Sequence, residues 1–248
     1  MIPQTHHGLC VADIDAARAA LATIGYTSVQ PNAPEPLVYA DMPDDVVGQQ
    51  TCPDLGSPYR THYVENPATG HQVDLIEIAP HALAARPCDG PVSGDLTVHL
   101  PLPGVDADDA AYVLRPLFGD RACVEAGGVA WATLHLAATE WDEARAFLTD
   151  ALGVALTPVG DGRWTADGIG GRIDVAVDAD VPAPPPGIGK RYPGANHLRF
   201  LHRRLADVAE RLPRHPQGRW LLPPQGGFAF VAGPAGMTIE LFDEEICR

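Results

Sequence analysis

Basic charge is what this sequence has least of. Lysine and arginine number 17 against 32 aspartates and glutamates, a formal net charge of −15, and Lys190 is the single lysine. A chain without a basic surface has little with which to displace counterions from phosphates, so nucleic acid is not an expected partner. The surplus of carboxylates reads either as a self-repelling acidic surface or as attraction for a cationic ligand. Scarce lysine beside abundant Ala, Pro, Gly, Asp and Arg points to a GC-rich bacterial genome and carries no chemistry. Long apolar runs are missing: no stretch of about 18 apolar residues occurs, and MIPQTHHGLC lacks the basic and apolar regions of a signal peptide, so neither a membrane span nor export is expected. The cysteines, Cys10, Cys52, Cys88, Cys123 and Cys247, are odd in number and widely spaced, with no C-x-x-C pair. That excludes a zinc ribbon, disfavours a disulfide scaffold and fits a reducing cytoplasm. The glycine pairs Gly170-Gly171 and Gly226-Gly227 precede no helix, so they read as turns, not phosphate loops. No Ser-His-Asp or Cys-His nucleophile pattern stands out.

What is present is material for a core and a repeating grammar. At 248 residues and 46% hydrophobic content, the chain suffices for one large domain or two small ones. HHGLCVA reads as a strand, followed by a helix over AARAALATIG with Asp15 as N-cap and Gly25 as its stop. Strands are expected at YTSVQ, LVYAD, YRTHYVENP and HQVDLIEIA. After PHALAARPCDGPVSG, a linker, the pattern recurs: a strand from Leu96, an N-cap at Asp106 and a helix to Gly119. It recurs again as VAWATLHLA, Asp142 as N-cap, a helix to Gly153 and the strands VALTPV, GRWTA and GRIDVAV. A proline-rich connector, VPAPPPGIGKRYPG, leads to NHLRFLH, the helix LADVAERL and the closing strands GRWLL, GFAFVA and MTIELF. The expected division is 1–80, a linker 81–94, a central region 95–180, a connector 181–194 and a last unit 195–248. About ten residues separate Gly119 from the strand at 129–138, too few for three closing strands. Either the second unit is truncated or that strand belongs to it, and the sequence leaves open which units pair.

The repeat has a fixed frame. Counting back eight residues from the apolar helix entrances Ile14, Val105, Trp141 and Leu205 lands on His6, Thr97, Thr133 and His197. Units of this kind bury a face against a copy of themselves.

Strand parity assigns the faces. His6, Gly8 and Cys10 share one side and His7, Leu9 and Val11 the other, which packs on the helix. The same alternation sends His197 and Arg199 into a cavity and Leu198 and Phe200 into the core. Glu240 and Asp74 face inward on their strands, and Glu77 faces outward.

A unit that opens with His on a strand before a helix and closes with G-x-x-Φ-E-Φ resembles the vicinal oxygen chelate superfamily, which includes glyoxalase I, methylmalonyl-CoA epimerase, fosfomycin-resistance enzymes, extradiol dioxygenases and bleomycin-resistance proteins. The residues carrying the resemblance are His6 in THHGLCVADIDAA, His197 in NHLRFLHRRLADV and Glu240 in GMTIELF, with Asp74 and Asp174 at the equivalent closing positions of the first and third units. It implies an α+β fold of repeated βαβββ modules forming paired half-barrel sheets, with barrels sometimes completed by homodimerisation.

Two histidines and a carboxylate converging on one pocket form a set suited to Fe(II), and also to Mn, Co, Ni or Zn, with positions left open for substrate or oxygen. The resemblance implies the same metal positions, His6, His197 and Glu240. A strand histidine is also commonly a satisfied core residue, and His7 competes with His6 for the role. Asp74 decides the chemistry. As a fourth ligand it completes the glyoxalase and epimerase arrangement, whereas a shorter reach leaves three ligands and a dioxygenase-like open face. His99 and His135 share a face with Thr97 and Thr133 and read as an acid or base in the cavity, or as plain polar filling. Arg199 reads as a partner for a substrate carboxylate or phosphate, or as a structural ion pair. His62 and Tyr192 are weaker candidates. The expected function is a divalent-metal enzyme acting on a small molecule, an Fe(II) oxidoreductase of the dioxygenase type ahead of a lyase or isomerase. The alternative is a metal-free protein that sequesters a cationic small molecule.

Overall fold

The computed structural model describes residues 6–29, 37–39, 59–77, 90–125, 130–166, 172–183, 194–202, 204–225 and 227–243. Among the described residues, alternation of apolar and polar residues builds fifteen strands in two sheets, and short amphipathic segments build the helices against them. The first part of the chain gives β1 (His6–Val11), helix α1 (Ile14–Ala22), β2 (Thr27–Ser28), β3 (Leu37–Tyr39), β4 (Tyr59–Asn66) and β5 (His71–Glu77). The middle gives β6 (Leu96–Pro101), α2 (Ala107–Phe118), β7 (Ala122–Glu125), β8 (Trp131–Ala137), α3 (Trp141–Ala146), β9 (Thr157–Gly160), β10 (Arg163–Ala166) and β11 (Arg172–Asp178). The last part gives β12 (Gly194–His202), α4 (Leu205–Arg211), β13 (Arg219–Gln225), β14 (Phe228–Ala232) and β15 (Thr238–Asp243). No helix among the described residues is long and apolar enough to cross a membrane.

The first sheet runs β13, β14, β15, β12, β1, β5, β4, β2, with β3 on β4, and the second runs β7, β6, β8, β11, β10, β9. The outer repeats therefore share one sheet, joined by the antiparallel pair β1 and β12. The inner repeats share the other, joined by β6 and β8. Among the described residues the second repeat has the single strand β7 after its helix, and β8 pairs with β6 in the same sheet.

Both apolar clusters draw on both sheets. Leu9 and Val11 of β1 pack with Ile14 and Leu21 of α1, Val98 and Leu100 of β6, and Leu114 and Phe118 of α2. Leu134 and Leu136 of β8 pack with Phe147, Val208 of α4, Leu198 and Phe200 of β12, and Ile239 and Leu241 of β15. Burial of these side chains, each contributing about 1.5–3 kcal/mol, fixes which face of each strand turns inward. Caps differ from expectation in two places. Asp13, not Asp15, caps α1, its Oδ1 accepting from the amides of Asp15 and Ala16, while Asp15 instead pairs with Arg60. Asp142 lies inside α3, which is entered through a 3-10 turn at Ala138–Glu140 and continues as a π-turn over Phe147–Ala151. Asp106 caps α2 as the spacing predicts, and Gly119 ends it at φ 68°, a left-handed conformation that favours glycine. Residues 92–94, expected as linker, and Asp95 after them are buried: Asp95 pairs with Arg121 and Ser93 Oγ accepts from the Ala137 amide.

On the α1 side of the first sheet lies a buried polar chain. The Tyr26 hydroxyl is 2.7 Å from His71 Nδ1, and His71 Nε2 is 2.8 Å from His7 Nδ1. Burial, reinforced by neighbouring His7, holds the His71 imidazole well below the ordinary histidine range. Burial also lowers His135, to about 4, with the Arg121 charge the next contribution. Both rings are neutral in the folded chain at pH 7. Above about 6.5 they are neutral in the unfolded chain as well; below it the unfolded chain binds protons that the folded chain refuses. Each ring then costs at most about 1.4 kcal/mol of stability per pH unit. Urea unfolding should therefore show stability falling from pH 6.5 to 4.5, and His71→Asn should flatten that slope. Identical slopes in the two proteins would show that His71 does not titrate this way.

Candidate functional site

Four adjacent strands at the centre of the first sheet place the site. Asp74 on β5 pairs with Gly8 on β1, and Gly8 pairs with His197 on β12, so the three occupy one row. Glu240 on β15 pairs with Arg199, one same-face step beyond His197. The diagonal brings Glu240 Oε2 to 3.8 Å from His197 Nε2. Both groups are shielded from water, with His197 0% and Glu240 4% exposed. The inward orientation expected for His197 and Glu240 follows from Leu198, Phe200, Ile239 and Leu241 taking the core.

Gly8 makes this geometry possible. A Cβ at that position would stand 2.1 Å from Cε1 and Nδ1 of His197, so the imidazole lies across β1 only because residue 8 lacks a side chain. The sequence held this clue in the isolated glycine of HHGLC, since a glycine within a strand pattern marks close approach. On the other side, Phe230, paired with Glu240, meets the His197 ring edge to face at 5.5 Å. Leu222, Phe230 and the partly buried Phe228 extend this into an apolar wall, where Phe228 stacks on Phe242. Asp74 is 7% exposed, and its Oδ1 accepts a hydrogen bond from the Thr61 hydroxyl.

Several expected residues lie elsewhere. His7 projects to the α1 side and bonds His71, so the backbone alternation separates it from His197. His99 and His135 are on the second sheet, where His99 Nε2 lies 3.1 Å from Thr133 Oγ1 and His135 Nε2 lies 2.8 Å from Thr97 Oγ1. Both are on a different sheet from His197, because the repeat frame fixes position within a unit, not the sheet that the unit joins. Asp174 is also on that sheet, held by Arg172 and Thr165. His62 is buried against Ser28. Tyr192 and the side chains of His6 and Arg199 lie outside the described part of the structure; the His6 backbone pairs with Gln72, two residues before Gly8.

The chain resembles solved structures in its fold. Two mutant forms of glyoxalase I from Zea mays match over 98% of this chain, one over 93% of its own length with TM-score 0.54 and 14% identity, the other over 95% with TM-score 0.55 and 13% identity. The fold is that of the vicinal oxygen chelate superfamily. No protein-family description and no curated protein matches the sequence.

In the vicinal oxygen chelate fold of this chain, the imidazole and carboxylate are near enough to share one divalent ion. Two donors each about 2.1 Å from one ion stand no more than about 4.2 Å apart, and 3.8 Å lies within that limit. Among the described residues no third His, Cys, Asp or Glu joins them in a metal-holding group, and Asp74 stays outside the pair.

The steric role of Gly8 is testable without a ligand. Gly8→Ala should destabilise the protein by about 1–3 kcal/mol through overpacking against the His197 ring. The same substitution in a His197→Ala background should cost much less, because the ring is gone. Equal costs in a double-mutant cycle of chemical denaturation would contradict the contact.

Proposed function

We propose that this chain is a divalent-metal-dependent enzyme acting on a small molecule through two neighbouring substrate oxygens, with His6, His197 and Glu240 holding the metal. The observation that carries the reading is the buried His197–Glu240 pair, 3.8 Å apart at the centre of the sheet. The metal, when bound, supplies a Lewis acid for the substrate oxygens and, as Fe(II), redox chemistry with dioxygen. The chain supplies the rest. Glu240 contributes negative charge that favours a cation over an unaccompanied buried imidazole. The burial of both groups excludes water and strengthens their electrostatic hold. Leu222, Phe228 and Phe230 receive the apolar part of the substrate, and Arg199, whose backbone pairs with Glu240, is the candidate partner for a substrate carboxylate or phosphate. Asp74, held by Thr61 and outside the donor pair, supports three protein ligands over four. Three ligands leave the more open face, which favours Fe(II) dioxygenase chemistry over isomerisation. The odd number and wide spacing of the cysteines and the use of Fe(II) both fit a reducing cytoplasm.

Metal analysis of protein purified without chelators tests the ligand set. About one ion per chain is expected in the wild type, with loss in His197→Ala and in Glu240→Ala and retention in Asp74→Asn; metal unchanged in the first two variants would remove the proposal. Oxygen uptake with a catechol or a 2-oxo acid separates the dioxygenase reading from the isomerase one. A second reading, sequestration of a cationic small molecule, is favoured by the buried Glu240 beside Phe230 in a chain of net charge −15. Tight calorimetric binding of a cationic drug by metal-stripped protein would put that reading ahead.

A further inference from the structure

The second sheet presents its own polar face, with hydrogen-bonding side chains where the first has its buried histidine and carboxylate. Across β8, β11 and β10, His135 pairs with Ala176 and Ala176 pairs with Arg163. Neighbouring strands lie about 4.8 Å apart, so β8 and β10 stand about 10 Å apart, with the Ala176 methyl as the one side chain between them in that row. The acids nearby are already matched: Asp174 accepts two bonds from Arg172, and Asp95 pairs with Arg121. Asp178, two positions beyond Ala176, accepts from the Asp180 amide. Arg163 is exposed, and its guanidinium forms no ion pair or hydrogen bond among the described residues. Among the described residues it is a cation without a counter-ion, in a chain where acids outnumber bases 32 to 17.

The imidazole opposite can act as a donor. The Thr97 hydroxyl, 2.8 Å from His135 Nε2, can donate to it, which leaves the ring proton on Nδ1. Burial and the charges of Arg121 and Arg163 hold the ring neutral, the latter two acting as positive neighbours within electrostatic reach.

We propose that this face holds a second, metal-free site for a small oxyanion, a carboxylate or a phosphate group, seated over Ala176 between the His135 N–H and the Arg163 guanidinium. Arg163 provides charge and a forked donor, His135 a single oriented donor, and Ala176 the space. The site is on the opposite sheet from His197 and Glu240 and does not depend on the metal proposal.

Calorimetric titration of the full chain with sodium phosphate, and separately with sodium acetate, at constant ionic strength tests this. One saturable site per chain is expected for at least one of the two anions, and which anion binds distinguishes a phosphoryl from a carboxylate ligand. Arg163→Gln should weaken binding at least about tenfold through loss of the charged contact. Ala176→Leu should do the same by filling the space, with circular dichroism confirming that both variants fold. His197→Ala should leave affinity unchanged. No saturable binding of either anion, affinity that survives both substitutions, or affinity lost in His197→Ala would each overturn the proposal.

Discussion

The site rests on the antiparallel ladder between β1 and β12. His7 pairs with Leu198 and Gly8 with His197, joining residues nearly two hundred positions apart. Closing so long a loop costs entropy that grows only slowly with length, so burial of the two central strands can offset it. Everything at the site inherits its position from this ladder. Asp74 reaches the row through the parallel pairing of β5 with β1, and Glu240 comes within reach of His197 through that of β15 with β12. Without the central ladder, the imidazole and the Asp74 carboxylate would belong to unconnected half-sheets.

The register of that ladder separates the two sheets. In the repeat frame Thr97 and Thr133 are equivalent, and they pair directly with each other. His6 and His197 are equivalent in the same frame, yet His197 pairs with Gly8, two residues further along, with an irregularity immediately after. A two-residue offset preserves faces, because strand side chains alternate with period two, but moves the equivalent side chains a row apart. In the second sheet, Thr97 and Thr133 stand opposite each other and each bonds a histidine from the facing strand. In the first, His197 stands opposite a glycine and spreads its ring into the space, which leaves its Nε2 facing Glu240.

This offset also marks what the sequence made legible. The facing of His197, Glu240 and Asp74 followed from alternation alone, since the apolar neighbours Leu198, Ile239, Val73 and Leu75 require burial wherever the strand ends up. The same reasoning assigned His7 to the helix side. Helix ends were legible to within two residues: Asp13 and Asp15 are both good caps, and Asp15 is drawn away by Arg60, a partner 45 positions distant. Register and sheet membership were not legible, because they are set by long-range packing. His99 and His135 share the strand parity of His197, two residues beyond the equivalent positions Thr97 and Thr133, and the pairing of β6 with β8 instead of β1 takes them to the other sheet. The contribution of Phe230 was hidden for the same reason, since it depends on pairing with Glu240 across a hairpin.

The two closing-strand aspartates show how partners, more than residue type, determine chemistry. Asp174 is tied by Arg172 through both carboxylate oxygens and by Thr165, which fixes it as an anchor for the second sheet. Asp74 occupies the equivalent position in the first sheet and accepts from a neutral hydroxyl, with Gly8 rather than a threonine beside it. A carboxylate satisfied by a guanidinium has its charge compensated locally, whereas a hydroxyl offers a hydrogen bond without a countercharge. The asymmetry begins with small differences: an arginine stands two residues before Asp174 and a glutamine two residues before Asp74.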